Sequence, residues 1–165
     1  MERWDSRVKG DHEALEAQVG ALKTALTIEG TAEDRQVTLR KFIRAIGPDL
    51  DLHLKKEEEV LFPALQRLGE EKAGSITLLK EQHGQLRRIL RQLAGLVCEC
   101  SGSETLDWKI VAQTGQQFIE LLEDHERKEE QLVINVLNSS LKPQELMQLA
   151  QGFQKAAWAA FREGL

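Results

Sequence analysis

Two segments of the same form, a His followed four residues later by a Glu, constrain the fold of this chain most. They run from His53 to Glu57 and from His125 to Glu129, and both lie among residues that favour helix. Four residues advance about 400° along a helix, so the imidazole and the carboxylate lie one turn apart on one face. The fold therefore has to accommodate two His-Glu pairs, each on a helix surface.

The face that carries each pair is otherwise apolar. The residues at helical spacing around the first pair are Phe42, Ile46, Leu50, Val60, Ala64 and Leu68, and those around the second pair are Phe118, Leu121, Leu122, Leu132 and Val136. Such a stripe is expected to face the core. A buried carboxylate without compensation is very costly, and a metal ion is the usual compensating group.

Most of the chain has the sequence pattern of amphipathic helices. With 3 prolines in 165 residues, we predict helices over residues 5–28, 32–68, 70–97, 105–137 and 143–162. Gly47-Pro48 predicts a kink in the second helix, and Pro63 predicts an irregular end. The prediction is an all-α fold, an up-down-up-down four-helix bundle over about 5–137 with an additional C-terminal helix, forming a single domain over 1–165.

An internal repeat relates the two halves of the predicted bundle. Its equivalent positions, 71 or 72 residues apart, are His12 and His83, His53 and His125, and Glu57 and Glu129. Each half is thus a helical hairpin that contributes one lone His and one His-x-x-x-Glu. The repeat predicts a pseudo-twofold axis with the six polar side chains gathered around it.

All 4 histidines of the chain lie on predicted core-facing stripes, one on each bundle helix. A hydrogen-bonded structural histidine is the ordinary explanation for one such residue, but four together with two glutamates favour metal ligation. A residue five positions after a His lies about 140° away on the helix. Glu57 and Glu129 are therefore predicted to face inward, and Glu58, Glu59 and Glu130 to face water.

The candidate ligands fit two first-row transition ions better than one zinc ion. Four imidazoles and two carboxylates exceed the four ligands, often thiolates, with which structural zinc closes. Two carboxylates bridging two irons follow the logic of ferritin-like bundles.

Composition excludes several other classes of function. A net charge of −5 argues against nucleic acid as a partner, and no apolar run is long enough to span a membrane. The amino terminus has no signal-peptide core, and two cysteines, Cys98 and Cys100, make no disulfide framework, so a cytoplasmic location is predicted. The two thiols are interpreted as ordinary loop residues, with a redox relay as the alternative. The absence of Tyr excludes a tyrosyl radical.

The sequence resembles the hemerythrin-like proteins, whose domain is named for a His-His-Glu cation-binding pattern. The matching segments, in order over about residues 5–137, are Asp11-His12-Glu13, His53-x-x-x-Glu57 with Val60-Leu61-Phe62-Pro63, Glu81-Gln82-His83 and His125-x-x-x-Glu129. The resemblance implies two non-haem irons, oxo- or hydroxo-bridged, with terminal ligands His12, His53, His83 and His125 and bridging ligands Glu57 and Glu129.

The sequence departs from the oxygen-carrying members at one informative position. Those carriers supply a fifth His one turn after the residue matched by His83, and this chain has Arg87 there. Arg87 is interpreted either as a group that lies behind a ligand or gates the open site, or as a solvent-facing residue. The carriers often take the second bridge at the position of Glu130, which is kept as the reserve for Glu129.

The ligand set is more similar to that of di-iron repair proteins and of iron or oxygen sensors. Of roughly 12 positions on two six-coordinate irons, the protein and an oxygen bridge fill about ten, leaving about two open. This implies binding of, or reaction with, dioxygen, peroxide or nitric oxide. The alternatives are an iron- or oxygen-responsive regulatory module and an iron donor in the repair of iron-sulfur centres. The small Cys-containing amino-terminal domain usual in repair proteins is not seen, which counts against repair.

The predicted C-terminal helix carries a further apolar stripe. Its members are Leu146, Leu149, Phe153, Trp158 and Phe161. We expect this stripe to pack across the bundle; a homodimer or a protein partner on this helix is the alternative.

Overall fold

Helices form every regular element of the described residues, which confirms the predicted all-α class. A computed structural model describes residues 4–27, 30–98 and 106–163. Its helices are α1 (Trp4–Leu26), α2 (Ala32–Lys56), α3 (Phe62–Gln66), α4 (Ala73–Cys98), α5 (Trp108–Glu129), α6 (Asn135–Ser140) and α7 (Pro143–Glu163). Two π-helical turns, Glu57–Leu61 and Glu130–Ile134, and a 3₁₀ turn, Glu70–Lys72, link them. The side chain of Cys98 and all of Cys100 lie outside this description.

Local capping signals fix where two of the long helices begin. The Thr31 hydroxyl accepts a hydrogen bond from the Asp34 backbone N–H at 3.1 Å and so caps the start of α2. Asp107 caps the first turn of α5 in the same way. Gly30 and Gly69 have φ values of 95° and 145°, a region that favours glycine, and they lie in the links that precede α2 and α4.

Four helices, α1, α2, α4 and α5, close into a ring. The neighbours in contact are α1 and α2, α2 and α4, α4 and α5, and α5 and α1. Their apolar side chains form two clusters. Cluster 1 includes Leu15, Leu22, Phe42, Leu50, Leu86, Leu93, Phe118 and Leu122, and cluster 2 includes Val8, Leu61, Leu65, Leu79, Val133, Leu137 and Phe153.

The order of the two clusters along each helix gives the direction of that helix. Helices α1 and α4 run from cluster 2 to cluster 1, and α2 and α5 run from cluster 1 to cluster 2. Alternation of this kind is the up-down-up-down bundle that the sequence predicts. The candidate ligands lie between the clusters in every helix, as His12 does between Val8 and Leu15.

The two π turns correct the predicted apolar stripe. Beyond the first His-Glu pair the sequence predicts Val60, Ala64 and Leu68 inside, but Leu61 and Leu65 are fully buried, whereas Val60 and Leu68 are only partly buried. A π turn inserts an extra residue into the helix, so the downstream inward positions move by one. Ala64, 1% exposed, is buried as predicted.

The same shift follows the second His-Glu pair. Leu132 and Val136 were expected inside and are partly buried, whereas Val133 and Leu137 are fully buried. The second π turn contains no proline, so proline does not account for both turns. The two halves thus share a helix irregularity as well as their polar residues.

The prolines of α2 and α3 are accommodated without ending the long helix. Helix α2 continues through Pro48 to Lys56. Pro63 lies in the first turn of α3, directly after the π turn, where its missing N–H is least costly.

Helix α7 packs across the bundle, as predicted. It contacts α1, α2 and the first π turn, and it buries Leu149 and Phe153. Gly152 allows close approach, since a Cβ there would lie 2.9 Å from Cγ1 of Val60. Trp158 is 58% exposed. Among the described helices, none combines the length and apolar content that a bilayer span requires.

Candidate metal centre

A layer of ionisable side chains separates the two apolar clusters of the bundle. Its six members are His12 on α1, His53 on α2, Glu57 in the first π turn, His83 on α4, and His125 and Glu129 on α5. The side chain of His12 is 14% exposed, and those of the other five are at most 1% exposed. The six residues singled out in the sequence thus lie in the same buried layer.

The six side chains form two groups that share one carboxylate. In the first group, potential ligand atoms of His12, His53, Glu57 and Glu129 all lie within 4.8 Å of one another, and in the second group those of Glu57, His83 and His125 do. The two His pairs are arranged alike, since the ring centroids are 4.9 Å apart both in His12–His53 and in His83–His125. Glu57 belongs to both groups and Glu129 to the first.

Several nitrogen and oxygen atoms in this layer are close together without being aligned for hydrogen bonding. His53 Nε2 lies 2.7 Å from Glu57 Oε1, and His12 Nε2 lies 2.9 Å from Glu129 Oε2, yet all four atoms lack a hydrogen-bond partner. Both ring nitrogens of His125 are also buried and unpartnered. Buried polar atoms are normally satisfied, so this convergence of unsatisfied atoms fits a bound metal ion.

Electrostatics within the layer favour a charged carboxylate on Glu57. Burial alone would raise the pKa of Glu57, but the charge of His53 and the nearby His125 and His83 rings hold that pKa well below its usual range. Burial likewise would lower the pKa of His53, but the charge of Glu57 and the Asp11 side chain raise it to about 10. A proton on His53 thus balances the charge of Glu57 where no metal ion does.

A carboxylate lies behind His53 on the side away from Glu57. Asp11 Oδ2 is 3.6 Å from His53 Nδ1, and Lys56 Nζ donates to the same oxygen at 2.8 Å. Burial opposes the ionisation of Asp11, but its contacts with His53 and Lys56 lower its pKa. Ligand imidazoles commonly have an acceptor of this kind behind them.

A second carboxylate lies behind His83. Glu58 Oε1 is 2.6 Å from His83 Nδ1 and accepts from Arg87 Nη1 at 2.9 Å. Glu58 was predicted to face water, but its side chain is only 32% exposed and contacts His83 and Arg87 between the first π turn and α4. The helical wheel of α2 places Glu58 away from His53 correctly, but it contains no information about the neighbouring helix that carries His83. Arg87 therefore lies behind a ligand candidate, the first of its two predicted interpretations.

The other glutamates of the two runs differ in burial. Glu129 is fully buried, Glu130 is partly buried and Glu59 is exposed. The structure therefore brings Glu129, the residue indicated by the repeat, into the polar layer beside His12.

Glu126 is a polar neighbour of the layer that the sequence pattern missed. Its Oε1 atom is buried without a partner, and burial raises its pKa to about 7. Together with Glu16 and Lys23 it lines a cleft of about 360 Å³ between α1 and α5. Nothing in the spacing of α5 distinguishes it from a solvated glutamate.

The sequence of this chain is similar to a protein family and to a bacterial repair protein. A family model described as the Hemerythrin HHE cation binding domain matches residues 5–134 and 74–151. The chain is also similar to the iron-sulfur cluster repair protein YtfE of Yersinia pseudotuberculosis serotype IB (strain PB1/+), with 30% identity over 95 residues. That alignment covers 55% of this chain and 42% of the relative, so the chain matches less than half the length of that protein.

Proposed function

Since the chain belongs to the hemerythrin HHE cation-binding domain family, we propose that its polar layer holds two iron ions at which small oxidants bind or react. Family membership gives the chain a metal-cation site; the identity of the metal, the number of ions and the reaction are our proposal. The proposed ligands are His12, His53 and Glu129 for one ion, His83 and His125 for the other, and Glu57 for both. Glu129 as a second bridge stays a prediction.

The convergence of buried, unpartnered nitrogen and oxygen atoms carries this proposal. A hydrogen-bonded cluster of structural histidines would satisfy these atoms internally, and here several of them are unsatisfied at short range. The two groups of ligand atoms and their common carboxylate support two ions rather than one. Carboxylate bridging between two metals is the arrangement on which helical di-iron proteins are built.

The donor set favours iron over structural zinc. It consists of imidazole and carboxylate without thiolate, and it exceeds the four ligands that close a structural zinc site.

The protein side chains would leave room for a small exogenous ligand. With Glu57 as the only bridge, the six protein ligands fill about seven of roughly 12 positions on two six-coordinate ions, and with Glu129 as a second bridge they fill about eight. Bound iron would supply redox chemistry towards dioxygen, peroxide or nitric oxide. The chain itself buries five of the ligand side chains almost completely and encloses them between two apolar clusters, so bulk water is kept from the site.

Metal analysis of protein purified from iron-replete cells is the direct test. We expect two irons per chain and near-ultraviolet absorption that changes when azide or nitric oxide is added. Stoichiometric zinc, or far fewer than two irons, contradicts the di-iron proposal. Two irons without any spectral response to either ligand contradict the open site alone.

The similarity to a protein named for iron-sulfur cluster repair supports a second candidate, in which the chain donates iron. A donor has to release its metal readily on reduction. We expect such a protein to lose iron to a ferrous chelator within minutes after reduction, whereas a centre built for oxidant chemistry retains it. The fraction of iron released, followed by the absorbance of the chelator complex, separates the two functions.

Cellular location and assembly belong to the same proposal. We propose that the chain acts in the cytoplasm as one domain and that the exposed surface of α7 around Trp158 contributes to a homodimer or binds a protein partner. Fractionation of cells and sedimentation analysis of the purified protein test the two claims separately.

A further inference from the structure

We propose that Glu58 and Arg87 form a positioning pair that holds His83 in the orientation needed to bind the second metal ion. This inference rests on the proposed function, since it assigns residues that act through a proposed ligand. The second position is the group of Glu57, His83 and His125. Neither Glu58 nor Arg87 is itself among the proposed ligands.

The contacts of His83 define which nitrogen is available. Its Nδ1 lies 2.6 Å from Glu58 Oε1, and its Nε2 lies 3.1 Å from Glu57 Oε2. Both neighbours are carboxylates, which accept hydrogen bonds, and Glu58 is the nearer of the two. We infer that Glu58 accepts a proton from Nδ1, which leaves Nε2, the nitrogen beside the shared carboxylate, to bind the metal ion. The Phe62 ring is stacked on the imidazole of His83 with the centroids 5.3 Å apart, and this stacking limits rotation of the imidazole ring.

Arg87 holds Glu58 in place. Its guanidinium donates from Nη1 to Glu58 Oε1 and from Nε to Asp51 Oδ1, both at 2.9 Å. Hydrogen bonds to two separate carboxylates fix the direction of the rigid guanidinium. The residue that stands where oxygen carriers have a fifth His is thus assigned no ligand role here, and its guanidinium instead orients Glu58.

The two metal positions differ in how strongly they depend on such support. The first position has four groups and the second has three. Asp11 Oδ2 lies 3.6 Å from His53 Nδ1, whereas Glu58 Oε1 lies 2.6 Å from His83 Nδ1. His125 has no hydrogen-bond partner at Nδ1. Losing Glu58 should therefore weaken the second position and leave the first nearly unchanged.

The test is a titration of metal-stripped full-length protein with Co²⁺, followed by absorption and by metal analysis. We expect two ions per chain in the wild type. Glu58→Ala should weaken the second ion by about 10–100-fold and leave the first within about twofold. Arg87→Ala should act in the same direction with a smaller effect. Matched controls are Glu59→Ala and Arg88→Ala, whose side chains are exposed neighbours on the same helical segments.

A second readout separates positioning from general damage. In zinc-loaded protein labelled with ¹⁵N, the Nδ1 proton of His83 should exchange slowly in the wild type and rapidly in Glu58→Ala. Glu58→Gln keeps an acceptor oxygen without its charge, so it should restore the slow exchange in part. It also replaces Glu58→Ala in the titration if the alanine variant does not fold.

The outcomes distinguish this inference from the proposed function. A wild type that binds fewer than two Co²⁺ ions overturns the two-metal proposal, and the positioning role with it. A wild type that binds two ions, with Glu58→Ala indistinguishable from Glu59→Ala, overturns the positioning role alone. Equal weakening of both ions in Glu58→Ala also overturns it, because the role is specific to the second position.

Discussion

Glu57 is the side chain that connects the whole polar layer, because it belongs to both groups of ligand atoms. It follows His53 by one helical turn and begins the first π turn. Its position at the start of this turn brings it within 3.1 Å of His83 and 3.5 Å of His125 as well. A single carboxylate thus lies close to histidines from both halves of the repeat.

Replacing Glu57 by Gln should therefore remove both metal ions, since neutral amide is a weaker ligand than carboxylate and both positions lose it. Glu129→Gln should affect mainly the ion held with His12 and His53. Metal content after identical loading and desalting measures both effects, and we expect less than a tenth of the wild-type metal for Glu57→Gln. Glu59→Gln, a neighbouring exposed position, is the control and should load normally. If Glu57→Gln retains one ion at full occupancy, Glu57 is not the bridge.

The pKa of His53 predicts how metal affinity depends on pH. With its pKa raised to about 10, His53 carries a proton at neutral pH that a metal ion has to displace. Apparent affinity should therefore rise with pH from 6.5 to 8.5, by up to about tenfold per pH unit for one released proton. Competition with a chelator of known pH dependence measures how metal affinity changes with pH. A pH-indicator dye in weak buffer measures the proton released when the metal binds. Affinity that does not change with pH would show that His53 is already neutral.

The same pKa has a consequence for the metal-stripped fold. A histidine whose pKa is higher in the folded than in the unfolded state stabilises the fold below the unfolded pKa. For His53 that contribution is full below about pH 6.5 and is lost as the pH rises through about 10. Metal-stripped protein should become less stable in urea between those two pH values.

At the scale of elements, the two π turns direct the long helices past the polar layer. They begin at Glu57 and Glu130, next to the two His-Glu pairs. Each turn moves the downstream inward positions by one residue, so that apolar side chains of cluster 2 close the layer directly after the carboxylates. π turns are often found at functional sites, and their occurrence at equivalent places in both halves fits that pattern.

Packing of α7 should support the first π turn through Gly152. A Cβ there would lie 2.9 Å from the stiff, branched side chain of Val60. Gly152→Leu should therefore cost about 1–3 kcal/mol of folding free energy through overpacking, and metal retention should fall because the π turn carries Glu57.

Urea unfolding and the rate of metal loss to a chelator are the two measurements. Gly20→Leu is the matched control, since nothing lies within 4 Å of a Cβ at that exposed helix position. If Gly152→Leu is as stable in urea as Gly20→Leu and loses metal no faster, the contact between Gly152 and Val60 does not support the π turn.

At the scale of the whole molecule, the bundle encloses a polar layer that its own side chains do not fully satisfy. Unpartnered nitrogen and oxygen atoms lie between two apolar clusters, and such atoms are costly in a core. Binding of metal to the folded state alone should then stabilise the bundle substantially.

Chelation should lower the melting temperature of the protein. One ion at a free concentration 100 times its Kd contributes about 2.7 kcal/mol, which corresponds to roughly 5–10 °C for a domain of this size. Calorimetry of loaded and stripped protein measures the difference, and readdition of metal should restore it. Equal melting temperatures would mean that metal does not bind preferentially to the folded state.

The sequence by itself determined the helices, the pairing of the two halves and the residues of the polar layer. Those features are set by local spacing: apolar residues recur every three or four positions, and His and Glu interrupt the stripe at 71- and 72-residue intervals. A helical period is a property of neighbouring residues, so it can be read without knowing the tertiary structure.

Only the tertiary structure decided the inward register after each His-Glu pair and the partners behind the histidines. Leu61 and Val133 replace Val60 and Leu132 inside, because the π turns interrupt the period from which the stripe was predicted. Glu58 contacts His83 across the interface of α2 and α4. The sequence pattern of a single helix cannot predict such a contact, since the contact depends on which helices pack side by side and on their relative shift along the bundle axis.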